Sequence, residues 1–194
     1  LLSAVDLDLF SLLDGSEMTL EEVIVEGGLS PRGAAILLDG LAALGLLEKR
    51  GGRYAVAPAA LPLSSKHPQS VLPMMRHTAS LWHRWSELTA IVRTGKGSER
   101  PAGAFDDPQE LEAFIGAMHV VGREPAAHIA RVSRADGSRS LLDVGGATGT
   151  YAEAFLREYP AMKATVFDRP PVIEMARRRL DRKSTRLNSS HVSQ

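Results

Sequence analysis

The sequence predicts two parts in series: a small helical domain closed by a β-hairpin, then one β-α-β unit of a parallel α/β sheet. Three observations predict it. Capping residues and glycine stops mark three helices within the first 45 residues. Gly51-Gly52 then separates two short runs, residues 46–50 and 53–56, as a hairpin turn does. Finally, residues 141–168 read strand, glycine loop, helix, strand and acid, in that order.

Composition bounds the function classes. The 194 residues carry 23 Lys plus Arg and 23 Asp plus Glu, so no global charge favours nucleic acid or an anionic membrane. There is no cysteine, which excludes a disulfide framework and a thiolate metal site. No apolar run approaches the ~18 residues of a membrane span. No signal peptide is visible, and a cytoplasmic protein is expected. The first residue is Leu and a helical pattern is already under way, so the N-terminus reads as cut.

The elements follow in chain order. Leu2, Val5, Leu9 and Leu12 or Leu13 recur at steps of three and four, predicting one helix that Gly15 stops. Thr19-x-x-Glu22 is a capping box, with Val23 and Ile24 behind it and Gly27-Gly28 at the end. Ser30 is the next N-cap and Pro31 its first-turn residue. Ala34, Leu37, Leu38, Leu41 and Leu44 form the inward face of that third helix, which Gly45 closes. Three helices and a hairpin make a winged helix-turn-helix. DNA binding through the third helix is disfavoured: residues 1–60 hold four Lys or Arg against nine Asp or Glu, and the helix itself carries only Arg32 and Asp39. A packing or dimerisation module is the preferred reading.

Residues 58–73 form an aperiodic connector. Residues 71–92 then predict one long amphipathic helix with Leu72, Met75, Leu81, Trp82, Trp85, Leu88 and Val92 along a stripe. Such a stripe is core or subunit interface more often than a stacking platform for an aromatic ligand. Residues 95–104 read as a mobile loop. Asp107 caps the next helix, with Pro108 and Glu110 in its first turn and Leu111, Phe114, Ile115 and Met118 on its apolar face. Gly122 and Pro125 perturb that helix, and Asp136-Gly137-Ser138 turns the chain into the strand of Leu141, Leu142 and Val144.

Gly145, Gly146 and Gly149 make the loop. Residues 150–159 make a helix ended by Pro160, and residues 164–167 make a second strand closed by Asp168. Ligands of open parallel sheets bind at the carboxyl ends of the strands. A glycine loop there lets backbone approach a ligand, and a carboxylate there can accept both hydroxyls of a ribose. A nucleoside-containing ligand is therefore expected. A dinucleotide fingerprint needs glycine at the first, third and sixth loop positions. Counted from Gly145 these are Gly145, Ala147 and Thr150, and the match fails. The pattern is instead Asp143-x-Gly145-x-Ala147-x-Gly149. After Asp168, residues 172–180 form a helix with Val172, Ile173 and Ala176 inward. Arg177, Arg178, Arg179 and Arg182 read as its solvated, dipole-favoured end. Residues 183–194 have no periodicity, resemble a translated adapter read-through and are excluded from the fold.

The Asp143-x-Gly145-x-Ala147-x-Gly149 pattern resembles the first motif of S-adenosylmethionine-dependent methyltransferases. Further segments carry the resemblance along residues 1–182. They are Thr19-Leu20-Glu21-Glu22, Leu41-Ala42-Ala43-Leu44-Gly45-Leu46-Leu47, Arg53-Tyr54-Ala55-Val56, Phe114-x-x-Ala117-Met118 and Phe167-Asp168-x-Pro170-x-Val172-Ile173. Together they resemble the small-molecule O-methyltransferases of the caffeate, hydroxyneurosporene and acetylserotonin type.

The resemblance implies a winged-helix dimerisation domain over residues 1–100 and the start of a Rossmann-like methyltransferase domain, its first β-α-β unit, over residues 105–182. It implies a homodimer, S-adenosylmethionine as cofactor and a small, aromatic, hydroxylated substrate, with no nucleic acid or membrane partner. Asp143, Gly145, Gly146, Gly149 and Asp168 would bind the cofactor: Asp143 at its methionine end, Gly145 through backbone, Asp168 at the ribose. Phe114 and Met118 would line the substrate cleft. Ala147 replaces the usual glycine. Gly122 replaces a serine that in some members reaches the cofactor. The histidine base of many members falls downstream of this sequence, so no catalytic residue and no turnover by this chain are expected. His119 is nearest the loop but has no visible partner acid, and His77 and His83 lack metal-ligand spacing. The alternative function is a winged-helix regulator with an attached small-molecule sensor.

Overall fold

The computed structural model describes residues 1–97, 107–183 and 190–193. The chain divides into two compact units, Leu1–Ala102 and Gly103–Gln194. Among the described residues no helix is long and apolar enough to cross a membrane.

In the first unit, the opening pattern folds as two short helices, α1 (Leu2–Asp6) and α2 (Leu9–Leu13), where one was expected. Asp8 makes the break: it adopts a left-handed φ of 52° and its carboxylate accepts a 2.7 Å hydrogen bond from the Ser11 hydroxyl. A short polar side chain bonding locally gives the backbone an alternative to the helix. The two-residue strand β1 (Met18–Thr19) leads into α3 (Leu20–Gly27) through the expected capping box. Glu22 N–H donates to Thr19 Oγ1 at 3.2 Å, and Thr19 N–H to Glu22 Oε2 at 2.7 Å. α4 (Pro31–Ala43) starts where Ser30 Oγ accepts from Gly33 N–H at 3.2 Å.

Ala34, Leu38 and Leu41 of α4 are buried as expected, whereas Leu44 is exposed. Leu46 N–H bonds to Leu41 O and Gly45 N–H to Ala42 O, a Schellman ending that turns Leu44 away from the core. The hairpin strands β2 (Leu47–Arg50) and β3 (Arg53–Val56) pair antiparallel from Leu47↔Val56 to Arg50↔Arg53, around a turn with φ of 56° and 79° at Gly51 and Gly52. β1 adds to the far side of β3, a pairing too short to leave a periodic signal. Tyr54 donates to Asp39 at 2.7 Å, and Lys49 donates to the same oxygen at 2.6 Å, tying the hairpin to α4. Lys49 is raised to about 12 by that bond, and Asp39 is lowered by it. The core gathers Val5, Leu9, Phe10, Leu13, Val23, Leu38, Leu41 and Leu47.

A 3₁₀ turn, Pro58–Leu63, precedes α5 (Leu72–Trp85) and α6 (Leu88–Thr94). The expected single helix over residues 71–92 is thus broken at Ser86. The Ser86 hydroxyl donates to His83 O at 2.7 Å and Glu87 N–H bonds to Arg84 O, tightening the last turn. Leu72 joins the core, but Leu81, Leu88 and Val92 are exposed, and Trp82 and Trp85 are each 66% exposed. Leu72 and Met75 thus anchor the start of the stripe in the core, while its continuation from Leu81 to Val92 has no cover among the described residues. The loop expected over residues 95–104 lies, from residue 98 on, outside the described residues.

The second unit begins with α7 (Pro108–Val132), capped by Asp107, whose Oδ1 accepts from Gln109 and Glu110 N–H. It runs unbroken through Gly122 and Pro125. The carbonyl that Pro125 leaves without its helical donor belongs to Val121, an exposed residue of the helix. β4 (Ser140–Val144), α8 (Thr150–Glu158), β5 (Lys163–Phe167) and α9 (Pro170–Lys183) follow. β4 and β5 are parallel, in register from Ser140↔Lys163 to Val144↔Phe167.

One face of this sheet is packed: Ala164 and Val166 lie against Ala152, Leu156 and Ile173. On the other, Leu142 and Val144 are 63% and 69% exposed, and Phe167 is exposed with them. Residues 184–189 and 194 of the excluded tail lie outside the described residues. Ser190–Ser193 forms a further strand, β6, parallel to β5. An open sheet edge pairs through backbone groups and asks little of side-chain pattern, so the tail's lack of periodicity did not forbid it.

Candidate functional site

The β4–α8 connection sits at the carboxyl end of β4. Gly145 N–H donates to Phe167 O at 2.8 Å, carrying the ladder into the loop. Gly149 N–H then closes a turn onto Gly146 O at 2.7 Å. Gly145, Ala147 and Gly149 all take left-handed φ, at 69°, 48° and 71°. Gly146 is required by contact: a Cβ there would stand 2.7 Å from Asp143 Cγ and 2.8 Å from Val166 Cγ1. Ala147 pays for its conformation with strain of about 1–2 kcal/mol. Its N–H is held by Asp168 Oδ2 at 2.9 Å, while Asp168 Oδ1 accepts from Arg169 N–H at 2.7 Å. Each Asp168 oxygen keeps acceptor capacity beyond these bonds.

Asp143 is half-buried beneath the loop, and its Oδ2 is buried with no hydrogen-bond partner. Burial pushes its carboxyl pKa up, the nearby Ala152 N–H pulls the other way, and the Asp168 charge pushes it up further. Two acids therefore flank one glycine loop, one of them with an unused buried oxygen. That arrangement offers acceptor oxygens and negative charge suited to a cationic group at Asp143 and a diol at Asp168.

The structure brings the five expected loop and strand-end residues, Asp143, Gly145, Gly146, Gly149 and Asp168, to one place. Phe114 joins them: it packs with Leu111, Ile115, Val172 and Met175 in the cluster that includes Ala147. Met118 is half-buried one turn further along α7. Gly122 is buried where α7 meets α8, and a Cβ there would stand 3.3 Å from the Tyr151 ring.

Sequence reasoning missed a polar cluster on the α7 side of α8. His119 Nδ1 lies 2.7 Å from Thr150 Oγ1, which lies 2.9 Å from Thr148 Oγ1. Glu153, 4% exposed, pairs with Arg157 and with Arg179. His119, Thr150, Glu153, Arg157 and Arg179, with Arg123 and alanines of α7, line a cleft of about 190 Å³ that includes none of Thr148, Asp143 and Asp168. The four-arginine run was expected to be solvated. Arg179 departs from that: its side chain is 11% exposed, and it donates to Thr148 O at 3.0 Å. Glu153 and Arg157 at i and i+4 were the available signal. The long-range partner was not visible along the chain.

Two family descriptions match the chain: an O-methyltransferase domain over residues 85–192 and an O-methyltransferase dimerisation domain over residues 1–65. The chain is 38% identical over 177 residues to the tetracenomycin polyketide synthesis 8-O-methyl transferase TcmO of Streptomyces glaucescens, covering 88% of this chain and 52% of that protein. It is similar to the solved structure of an O-methyltransferase family protein from Burkholderia thailandensis, with a TM-score of 0.74 and 28% identity, covering 93% of this chain and 55% of that one. It shares the fold of human N-acetylserotonin methyltransferase, solved in complex with SAM, with a TM-score of 0.77 at 23% identity, covering 99% of this chain and 59% of that one. The chain spans about half the length of the curated relatives it matches.

Proposed function

The chain belongs to the O-methyltransferase family, and from that premise we propose that it serves transfer of a methyl group from S-adenosylmethionine to a hydroxyl of a small, aromatic metabolite. The observation that carries this reading is the buried, unpartnered Oδ2 of Asp143 under a loop whose Gly146 position excludes any side chain. When bound, the cofactor supplies an electrophilic methyl on a sulfonium. The residues of this chain hold and orient it. Asp168 accepts from the ribose hydroxyls. Asp143 faces the ammonium of the methionine end. Gly145, Gly146 and Gly149 offer backbone at close approach. Phe114 and Met118 wall the cleft on the α7 side.

In the same reading the first unit is a winged helix, with α3 and α4 as its helical pair and the β2–β3 hairpin as its wing. It spans residues 1–100, and the methyltransferase part spans residues 105–182. The wing's Lys49 is engaged with Asp39, which leaves little cationic surface for DNA, and the matches give the regulator alternative no support. The winged helix and the exposed stripe of α5 serve a homodimer, and the protein works in the cytoplasm.

Titration calorimetry with S-adenosylmethionine tests the site. Hydrogen bonds to a charged acceptor are the stronger kind, so Asp168→Ala should weaken binding roughly 30- to 150-fold. Asp168→Asn should weaken it less, because one acceptor oxygen remains. Unchanged affinity in a folded Asp168→Ala protein defeats this placement of the cofactor.

A further inference from the structure

We propose that Arg179 and Glu153 form a positioning pair that sets the shape of the glycine loop from the far side of the helix it feeds. The proposal rests on the cofactor reading above for its purpose, but its geometry is independent of that reading.

Three loop residues in succession are held by the segment running from Asp168 through α9. Ala147 N–H is held by Asp168 Oδ2 at 2.9 Å. The Thr148 carbonyl is held by Arg179 Nη1 at 3.0 Å. Gly149 is walled by Leu180, whose Cδ1 would stand 3.3 Å from a Cβ at that position. The Thr148–Gly149 peptide is thus fixed at both ends, its carbonyl by Arg179 and its N–H by Gly146 O at 2.7 Å. A peptide plane gripped at both ends cannot flip, and that plane closes the turn on which the left-handed φ of Ala147 depends.

Arg179 is itself aimed by Glu153. The acid takes Arg157 on one oxygen and Arg179 on the other, and both Glu153 and Arg179 are largely buried. Stability alone does not account for such a pair, since well-packed apolar residues often replace buried ion pairs at no cost. The Arg179 Nε–H is also buried without a partner, a further cost. What the guanidinium fork adds is direction: one arm locked to Glu153 leaves the other fixed on the loop carbonyl.

The experiment uses the whole chain with Arg179→Met, Arg179→Lys, Glu153→Gln and, as control, Arg177→Met, which removes the exposed pair with Glu174. Amide exchange by NMR is read at Ala147, at Gly149 and along α8, and S-adenosylhomocysteine binding is read by calorimetry. Exchange at Gly149 and Ala147 should rise about tenfold in Arg179→Met, with residues 154–158 unchanged. Arg179→Lys and Glu153→Gln should lie between, and Arg177→Met should match the parent. Affinity should fall about tenfold in Arg179→Met.

Unchanged loop exchange overturns the proposal, and so does exchange that rises equally along all of α8, which marks a merely structural pair. If Arg179→Met fails to fold, Arg179→Lys and Glu153→Gln decide by the same criteria. Faster loop exchange with unchanged affinity, in a protein whose binding Asp168→Ala weakens, also overturns it. If the parent chain does not bind or Asp168→Ala binds normally, the cofactor reading falls, and loop exchange alone judges the pair.

Discussion

Asp143 is expensive to keep in the free protein. Its folded-state pKa is raised above the ordinary 3.8, by burial first and then by the Asp168 charge. A raised carboxyl costs stability above its folded pKa, and the cost disappears as pH falls below the unfolded value. Asp143→Asn should therefore raise the thermal midpoint at pH 7, with the gain vanishing toward pH 4, as scanning calorimetry across that range would show. The same substitution should weaken cofactor binding at pH 7. Ala147 is the second residue under strain. Its φ of 48° costs an L-residue about 1–2 kcal/mol, and glycine returns part of this as unfolded-state entropy. Ala147→Gly should stabilise the protein by about 0.5–1 kcal/mol in urea melts. The five loop and strand-end residues were legible in the sequence because glycine spacing and an acid at a strand end are local signals. Arg179 was not, because its partner Glu153 stands 26 positions away on another helix.

At the scale of elements, the legible features were those fixed by neighbours in sequence. The capping box of α3, the Ser30 cap of α4, the Gly51-Gly52 turn and the inward face of α9 all stand as read. The failures were decided by one side chain competing with the helix ladder, Asp8 in the first helix and Ser86 in the long one. Hydrophobic periodicity does not register a single polar residue that bonds to its own turn. The capping box also offers a clean test. Thr19→Ala removes the side-chain acceptor of Glu22 N–H and should cost about 1 kcal/mol in chemical denaturation, with Thr19→Ser close to the parent. Arg53 bonds Glu17 O and pairs with Glu22, so the lesion should spread to β1 and β3 rather than stay in α3.

At the scale of the molecule, two apolar surfaces have no partner among the described residues: the α5 stripe of Trp82 and Trp85, and the sheet face of Leu142, Val144 and Phe167. Burial could not be read from the sequence in either case, because periodicity shows which residues share a face but not whether anything covers it. For the stripe the expected cover is a second copy. Trp82→Ala combined with Trp85→Ala should shift the protein from dimer to monomer at micromolar concentration in sedimentation velocity, since aromatic anchors dominate such interfaces. A parent that sediments as a monomer under the same conditions would refute this.

The two tryptophans have an optical consequence as well. They are the only two in the chain, and both belong to the first unit, while the second has only Tyr151 and Tyr159 as its phenolic fluorophores. Emission excited at the red edge of the indole band therefore reports on the helical unit and is blind to the loop between Asp143 and Asp168. A denaturation curve followed by that emission tracks one unit, and one followed by helical ellipticity tracks both. Where the two curves part, the unit that carries the indoles and the unit that carries the acids differ in stability.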